Sequence, residues 1–435
     1  MAKFHYTILS RAHPGREEEF VAWYRDQHMA DVCRMPGVIS GKLFRMDFQR
    51  VYNLDDAPQW TLMTIYELEG DEPQPIIDNI RAASGSDIMP ATESLNRAGM
   101  IQASGHLIQT GTGSAVPQGT VLIASRDVPL PAHLSPEAQA YLLPRPVFSA
   151  YPALDDKAGW LAYVAGSEAA MAPLFSRPGA DMGAIATERD ANGAKVYEIT
   201  PPGMAEDDRT VVLELHGGAL ILCGGEICRA MGATTAARLQ RRVWAVDYRM
   251  PPEHPYPAAL DDALAAYRAL LAERSPQEII ISGGSAGGNL AAALVLRARD
   301  EGLPLPAGVI LNTPEADLTE SGDSFTTNEG VDPLLHSLMP VNLLYANGHD
   351  LTDPYISPLF GDFSKGFAPT ILTTGTRDLY LSNTVRLHRA LRAAGIAASL
   401  HVLEAAPHTG FPGAPEGAEI DKELRLFISQ QRGES

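Results

Sequence analysis

Residues 278–288 read EIIISGGSAGG, and this stretch decides the fold of the chain. The short apolar run at its start is typical of a strand that is buried on both faces of a parallel sheet. The glycines allow a tight turn, and the Ala-rich segment that follows predicts a helix over Ala286–Asp300. Between a buried strand and a helix, the turn serine, Ser285, should project its hydroxyl beyond the edge of the sheet.

The same alternation of strand and helix continues on both sides of this stretch and predicts a parallel α/β sheet with right-handed crossovers over residues 181–435. Strands are expected at Lys195–Thr200, Thr210–Leu215, Arg242–Asp247, Glu278–Ser282, Gly308–Asn312, Thr370–Thr374 and Ser399–Leu403. Helices are expected between them, as at Ala258–Glu273, Ala286–Asp300 and Asn383–Ala394.

A serine hydroxyl is a poor nucleophile near neutral pH, so Ser285 needs a base, and the base needs an orienting carboxylate. Asp378 and His408 each follow a predicted strand, so both should lie at the carboxyl ends of strands, on the same edge as Ser285. The chain order Ser, Asp, His is the one expected for an α/β-hydrolase. Other carboxylates in the same span are alternatives for the acid, namely Asp332, Asp350 and Asp353.

A glycine-rich loop, HGGA over residues 216–219, follows the strand predicted at Thr210–Leu215. Glycines suit a loop whose backbone N–H groups must approach an oxyanion without a side chain in the way. We therefore predict an oxyanion hole formed by the N–H groups of Gly217, Gly218 and Ala286.

Two longer motifs, YRMPPEHPYPAA over residues 248–259 and DPYISPL over 353–359, accompany the serine turn and the glycine loop. With them, the chain from about residue 130 resembles the hormone-sensitive-lipase family of bacterial esterases. The resemblance implies an α/β-hydrolase fold with Ser285 as nucleophile, His408 as general base and acid, and Asp378 as the carboxylate that fixes the imidazole tautomer. The chemistry requires no cofactor and no metal.

The chain departs from the family pattern beside the nucleophile and in the glycine loop. Gly284 stands where the family usually has an acidic residue or threonine, so the contacts of that side chain must be lost or replaced. Ala219 stands where the third loop glycine is usual. Neither change touches the three predicted catalytic residues.

The predicted reaction is hydrolysis of a carboxylic ester through an acyl-enzyme, with short to medium acyl groups favoured. A lactone is an alternative substrate, because its ring opening uses the same tetrahedral chemistry. Residues 116–180 are expected to form a linker and a helical cap, with short helices in SPEAQAYLL (135–143) and KAGWLAYVAGSEAAMAPLF (157–175). The linker lies in the stretch GTGSAVPQGT at 111–120.

Residues 1–115 follow a different pattern, which predicts an α+β domain. Strands are expected at Lys3–Ser10, Val38–Met46, Gln59–Leu68 and Met100–Gln109, with helices after Pro14 and near Pro75–Ala83. The order β-α-β-β-α-β is that of a ferredoxin-like domain.

The motifs WYRDQH (23–28) and MPGV (35–38) of this domain resemble the EthD-like branch of the dimeric α/β-barrel superfamily. The resemblance implies pairing through the sheets, and hence a homodimer or higher homo-oligomer formed by the N-terminal module. His28 either completes a partly buried helix face or takes part in chemistry of its own. A bifunctional protein therefore remains an alternative, although an oligomerisation role is favoured.

Composition excludes several other classes of function. The chain has 435 residues, 45% of them hydrophobic, and a formal net charge of −19, which disfavours nucleic acid as a partner. Its three cysteines, Cys33, Cys223 and Cys228, have no spacing typical of zinc sites or disulfide scaffolds. The charged N-terminus and the absence of long apolar runs predict a cytoplasmic protein with no membrane partner.

Overall fold

The computed structural model describes residues 2–47, 59–108, 128–143, 150–175 and 182–433. The chain divides into two compact units, Met1–Ser125 and Arg126–Ser435. The predicted domain boundary at residue 115 and the predicted linker lie outside the described residues.

The first unit is a four-stranded antiparallel sheet with helices packed on it. Its strands lie side by side in the order β2-β3-β1-β4, and its elements follow one another along the chain as β-α-β-β-α-β. A five-residue π-helix, Tyr24–His28, joins the first two helices. The elements are β1 (Ala2–Ala12), α1 (Glu17–Trp23), α2 (Met29–Cys33), β2 (Val38–Arg45), β3 (Leu62–Gly70), α3 (Pro73–Ala83) and β4 (Leu95–Gly105).

Alternation of side chains along the strands decides which face of this sheet is covered. On β1 and β3, every second residue is buried, including Tyr6, Ile8 and Tyr66. These side chains pack against Ile77 and Ile80 of α3. The helices therefore lie on the face that carries Tyr6 and Tyr66, and none of the helices among the described residues of this unit covers the opposite face.

The second unit is built on an eight-stranded sheet with the order β12-β11-β10-β9-β7-β8-β6-β5. Its strands are β5 (Ile185–Ala191), β6 (Ala194–Thr200), β7 (Val211–Leu215), β8 (Arg242–Val246), β9 (Ile279–Gly284), β10 (Gly308–Asn312), β11 (Thr370–Gly375) and β12 (Ala398–Leu403). Its helices are α4 (Pro136–Ala140), α5 (Lys157–Phe175), α6 (Glu226–Leu239), α7 (Ala258–Glu273), α8 (Ala286–Asp300), α9 (Ser324–Thr327), α10 (Met339–Ala346), α11 (Leu381–Ala393) and α12 (Pro415–Arg432).

The expectation of a wholly parallel sheet was wrong at one edge. Strands β7 to β12 pair in parallel, but β6 is antiparallel to both β8 and β5. Asn192 and Gly193, both with positive φ, close a two-residue hairpin between β5 and β6. Strand β5 was not predicted, because as an edge strand it carries the charged run Glu188–Asp190 in place of an apolar core pattern.

Helices cover both faces of the parallel part, as the apolar run in β9 predicts. Ile279 and Ile281 pack on the side of α7 and α8, whereas Ile280 packs on the side of α6 and α12. Because all three isoleucines are fully buried, β9 is fixed at the centre of the unit. The turn that follows the carboxyl end of β9 therefore starts from a fixed point in the core.

The helices predicted within residues 135–143 and 157–175 are present as α4 and α5. Trp160 of α5 packs against Ile221 of the loop after β7 and against Val341 of α10. Ala138 of α4 packs against Phe411 of the loop after β12. Both helices thus pack on loops at the carboxyl edge of the sheet. In the described part of the chain, no helix combines the length and the apolarity needed to cross a membrane.

Candidate active site

Ser285 lies at the turn between β9 and α8 in a strained conformation, with φ +57° and ψ −124°. A positive φ is costly for a residue with a side chain, so the surroundings must hold it. The N–H of Ser285 donates to the carbonyl of Asn312 at 2.9 Å, and the N–H of Glu315 donates to the carbonyl of Ser285 at 3.1 Å. The loop after β10 therefore fixes the strained turn.

The structure brings the three predicted side chains into one chain of hydrogen bonds. The Nε2 atom of His408 lies 2.9 Å from Oγ of Ser285, and Nδ1 of His408 lies 3.1 Å from Oδ1 of Asp378. This pattern fits the imidazole tautomer that is protonated at Nδ1, which donates to Asp378 and accepts from Ser285. The imidazole and the carboxylate are both buried, so water competes little for these bonds.

Further donors hold the carboxylate of Asp378, which follows β11. Its Oδ2 accepts from the hydroxyl of Thr374 at 2.7 Å, and its Oδ1 also accepts from the N–H of Tyr380 at 2.9 Å. The ring of Tyr380 stands edge-on to the His408 imidazole, with the ring centroids 4.9 Å apart. The orientation of the carboxylate is thereby fixed before any substrate binds.

Asp332, one of the alternative acids, binds the backbone near the imidazole. Its Oδ2 accepts from the N–H of Leu379 at 3.0 Å and from the N–H of His408 at 2.9 Å. One carboxylate oxygen of Asp332 therefore accepts hydrogen bonds from both the loop that carries Asp378 and the loop that carries His408. Sequence reasoning missed this role, because nothing in the local pattern distinguishes it from an ordinary turn aspartate.

The other two alternative acids make local bonds. Asp350 accepts from the backbone and hydroxyl of Thr352, and Asp353 accepts from the N–H of Tyr355. Both carboxylates thus cap their own turns, and the structure places Asp378 beside the imidazole.

The predicted oxyanion loop lies against the serine turn. A Cβ placed on Gly217 would lie 3.5 Å from Cβ of Ser285 and 3.2 Å from the carbonyl oxygen of Gly284. Gly218 has a φ of +122°, which a residue with a side chain rarely adopts. Ala286 begins α8, where backbone N–H groups have no acceptor within the helix. Gly217 and Ala286 therefore flank Ser285, and Gly218 is the next residue of the same loop.

His216 braces this loop. Its Nδ1 lies 2.7 Å from the carbonyl oxygen of Gly217, and its ring stacks on Tyr248 with centroids 4.0 Å apart. The Tyr248 hydroxyl donates to the carbonyl of His216 at 2.7 Å. Burial lowers the pKa of His216 to about 4, so the ring is neutral near neutral pH.

Acidic groups around His408 control its protonation. Burial alone would lower the pKa of the imidazole, but the hydrogen bond and charge of Asp378, together with the charges of Asp332 and Glu315, raise it above the ordinary value. Glu315 is itself almost completely buried, and burial raises its pKa to about 7. Sequence reasoning missed Glu315, whose position becomes clear only when the loop after β10 is folded against the serine turn.

Gly284, the departure from the family pattern, leaves room for a side chain. A Cβ there would meet its nearest neighbours, the backbone oxygen and Cβ of Asn312, at 3.6 and 3.8 Å, which is ordinary contact. Because alanine restricts the unfolded chain more than glycine does, Gly284→Ala should raise the free energy of unfolding by about 0.4–1 kcal/mol without loss of turnover. Urea unfolding together with an ester assay measures both effects.

Gly287 provides the contrast for that test. A Cβ on Gly287 would lie 1.9 Å from the carbonyl oxygen of Leu215, a backbone atom that cannot move away cheaply. Gly287→Ala should therefore destabilise the protein. A loss of stability in Gly284→Ala as well would contradict the finding that a Cβ at residue 284 has room beside Asn312.

One group of side chains in the described residues has the composition of a metal site. One potential ligand atom from each of His216, Cys228 and Asp247 lies within 4.8 Å of the other two. However, Asp247 already accepts from the N–H of Gly225 and pairs with Lys195, and burial keeps the pKa of the Cys228 thiol well above its ordinary value. A protonated thiol and an occupied carboxylate are poor ligands, so we assign no metal to this group.

A serine on a strained strand-turn-helix, beside a buried His-Asp pair at the carboxyl edge of a mostly parallel sheet, is the arrangement of the α/β-hydrolases. The sequence model of a family described as the alpha/beta hydrolase fold matches residues 212–412. An esterase of Acinetobacter venetianus is 38% identical over 194 residues, which are 43% of this chain and 62% of that protein. The chain thus spans somewhat less than two thirds of that relative.

Solved structures resemble a larger part of the chain. The esterase E25 matches with a TM-score of 0.68 and 35% identity, over 72% of this chain and 99% of its own. An esterase from the bacterial hormone-sensitive lipase family matches with a TM-score of 0.58 and 31% identity, over 69% of this chain and 99% of its own. The chain belongs to the hormone-sensitive-lipase family of α/β-hydrolases, and it is a hydrolase of the carboxylesterase type.

Proposed function

We propose that this protein hydrolyses carboxylic esters with short to medium acyl chains through an acyl-enzyme on Ser285. His408 Nε2 takes the hydroxyl proton as Oγ forms a bond to the ester carbonyl carbon. The carbonyl electron pair moves to its oxygen, and the N–H groups of Gly217, Gly218 and Ala286 stabilise that oxyanion. Collapse breaks the bond to the alcohol oxygen, which leaves with the proton from His408.

Deacylation repeats these steps with water. His408 takes a proton from water as the water oxygen attacks the acyl carbon, and collapse breaks the bond to Oγ, which recovers the proton. In both halves Asp378 holds the Nδ1 proton and stabilises the positive imidazole. The observation that carries this proposal is the hydrogen-bonded chain from Ser285 Oγ to Asp378 Oδ1, at 2.9 and 3.1 Å.

Trapping the covalent intermediate tests this function directly. With p-nitrophenyl acetate under rapid quench, we expect an acetyl group on the peptide that contains Ser285 and a burst of p-nitrophenol equal to the enzyme concentration. Peptide mass spectrometry identifies the modified residue. An acetyl label on another residue with none on Ser285 would overturn the mechanism, and a larger kcat/KM for a simple lactone than for the acetate would make lactones the preferred substrate.

The preference for short to medium acyl groups rests on bulky side chains near the imidazole. Tyr380, beside His408, belongs to a cluster with Trp160 of the cap and with Val341 of α10. Tyr151 and Tyr163 pack against the same cluster. We infer that these side chains border the acyl group and leave little room for a long chain.

The charge of Glu315 should appear in the pH dependence of turnover. Only the neutral imidazole accepts the Ser285 proton, so kcat/KM falls as the pH drops through the pKa of His408. Glu315→Gln removes one of the charges that raise this pKa, so the acidic limb of the profile should move to lower pH.

A matched variant separates this effect from a general loss of charge. Glu404 is exposed and only four residues before His408, so Glu404→Gln removes a carboxylate that water and salt screen. Its profile should coincide with that of the unmodified enzyme. A shift of the Glu315→Gln limb to higher pH would contradict the assignment of Glu315 as an acidic neighbour of the imidazole.

For the N-terminal unit we propose a ferredoxin-like module of the EthD-like type that pairs two chains. On the sheet face opposite the helices, an apolar row formed by Phe44, Met63, Leu9 and Ile101 crosses all four strands, each residue facing the next in register. Phe44 and Ile101 are 41% and 46% exposed. Burying such a row in a homodimer would remove apolar surface from water.

Light scattering tests the pairing. The full chain should have the mass of a dimer or a higher oligomer, and Ile101→Lys should reduce it to the mass of one chain. Asn79→Lys, which introduces the same charge at an exposed position of α3 on the other side of the sheet, should leave the mass unchanged. A monomeric unmodified chain would exclude this role.

For the location we propose the cytoplasm, because the free thiols of Cys33, Cys223 and Cys228 suit a reducing compartment.

A further inference from the structure

The loop that follows β7 is held in a costly backbone conformation. Three of its residues with side chains, Ala219, Leu220 and Cys223, have φ values of +53°, +61° and +77°. Residues other than glycine rarely adopt this left-handed region, so contacts elsewhere must hold the chain there. The same loop carries Gly217 and Gly218, whose N–H groups are two of the three donors proposed for the oxyanion.

Gly218 and Cys223 lie against each other in this loop. The carbonyl of Gly218 accepts from the N–H groups of Ile221 and Leu222, at 3.1 and 2.9 Å, which closes a tight turn. A Cβ placed on Gly218 would lie 3.0 Å from Sγ of Cys223, so no space separates the two residues. Because such close-packed groups move together, a shift of Cys223 displaces Gly218 as well.

A carboxylate from α5 binds this turn. Oε1 of Glu168 accepts from the N–H of Cys223 at 3.1 Å. Glu168 is half-buried, and it is the only acidic residue in the sequence of α5. A hydrogen bond to a charged acceptor is stronger than one between neutral groups. Trp160, two turns earlier on the same helix, packs against Ile221, so α5 contacts the turn at two points.

Glu168 differs in position from the other carboxylate that binds this loop. Asp247, which follows β8, accepts from the N–H of Gly225 at 2.8 Å, just before α6 begins. Within the described part of the chain, no side chain other than Glu168 accepts from an N–H group of residues 217–223. The strained turn itself therefore depends on α5.

We propose that Glu168 is a positioning residue for the oxyanion hole. By holding the N–H of Cys223 it keeps the strained turn in place, and the turn in its place directs the N–H of Gly218 at the ester carbonyl oxygen. Glu168 acts through the loop and not on the reacting atoms. The inference rests on the proposed ester hydrolysis at Ser285.

The effect should appear in kcat more than in KM. The negative oxygen forms only after Ser285 attacks, so a displaced donor weakens the transition state more than the bound ester. Loss of a whole donor costs ~10²- to 10³-fold in kcat, and a displaced donor should cost less. For Glu168→Ala we expect a fall in kcat of about 10- to 100-fold, with KM changed by less than about 3-fold.

Kinetics of the full chain with p-nitrophenyl acetate test this role. Labelling to completion with a fluorophosphonate counts the competent Ser285 sites, so that kcat refers to folded enzyme alone. Glu168→Gln keeps an oxygen that can accept from Cys223 and should retain activity within about 3-fold of the unmodified chain. Glu423→Ala makes the same change of side chain as Glu168→Ala at an exposed position of α12, and its kcat should be unchanged.

A trifluoromethyl ketone distinguishes loss of the oxyanion hole from other damage. Oγ of Ser285 adds to the ketone carbon, its proton passes to His408, and the ketone oxygen takes the negative charge that the hole binds. With trifluoroacetophenone, the inhibition constant for Glu168→Ala should rise by the same factor by which kcat/KM falls.

Three results would overturn the proposal. They are an unchanged kcat per labelled site in Glu168→Ala, an equal loss in Glu168→Gln, and a fall in kcat/KM without weaker binding of the ketone. Failure of the unmodified chain to take the label on Ser285 is a different outcome, because it would remove the proposed ester hydrolysis and this role together.

Discussion

Ser285→Ala should lower kcat for a short-chain aryl ester by ~10⁵- to 10⁶-fold, because the atom that bonds to the acyl group is removed. The remaining rate comes from substrate binding and the N–H donors beside the serine turn, which the substitution leaves in place. The fold should be unaffected, since alanine meets the same positive φ as serine. Steady-state kinetics with p-nitrophenyl acetate and a thermal melt measure the two effects. Turnover above one hundredth of the unmodified rate would rule out Ser285 as the nucleophile.

Ser285→Gly is the matched variant for the strain at this position. It should be as inactive as Ser285→Ala but more stable than it, by about 1 kcal/mol, because glycine adopts φ +57° and ψ −124° without the penalty that a Cβ brings. Chemical unfolding of the two inactive variants measures the difference. Equal stability of the two would mean that the serine turn stores no strain.

The sequence alone identifies those residues of the site that follow a predicted strand or belong to a local motif. Ser285 and His408 could be identified in this way, and Asp378 could be preferred to other carboxylates because it directly follows β11. Asp332 and Glu315 could not, since their roles depend on contacts made across the fold. Asp332, for example, binds the backbone of His408, which lies 76 residues further along the chain.

The same distinction applies to the fold. Buried strands such as β9 and β10 could be predicted because their apolar runs reflect burial on both faces. The edge strand β5 could not, since its exposed side chains carry charge and only the Asn192-Gly193 turn indicates a hairpin. Likewise, the aromatic spacing around His28 predicts a helix, but the π-turn depends on how that helix packs on the sheet.

Asp378→Ala should lower kcat/KM by about 10⁴-fold, because the imidazole loses both its orienting acceptor and the charge that stabilises its protonated form. Asp378→Asn should be less damaging. The hydroxyl of Thr374 can rotate to accept from the amide NH₂ group, which leaves the amide oxygen facing the N–H groups of Tyr380 and His408. The asparagine variant thus keeps the productive tautomer and loses only the charge, so we expect a fall of about 10²- to 10³-fold.

The pH profile of Asp378→Asn tests this argument independently of its rate. Without the charge of Asp378 the pKa of His408 should fall, because that charge and its hydrogen bond oppose the effect of burial. The acidic limb of kcat/KM should therefore move to lower pH, further than in Glu315→Gln. Adding Thr374→Val removes the acceptor for the amide NH₂ group, so the activity of the double variant should fall towards that of Asp378→Ala. This expectation fails if Asp378→Asn alone is already as inactive as Asp378→Ala. That result would mean that the NH₂ group faces the imidazole and that Thr374 does not set the orientation of residue 378.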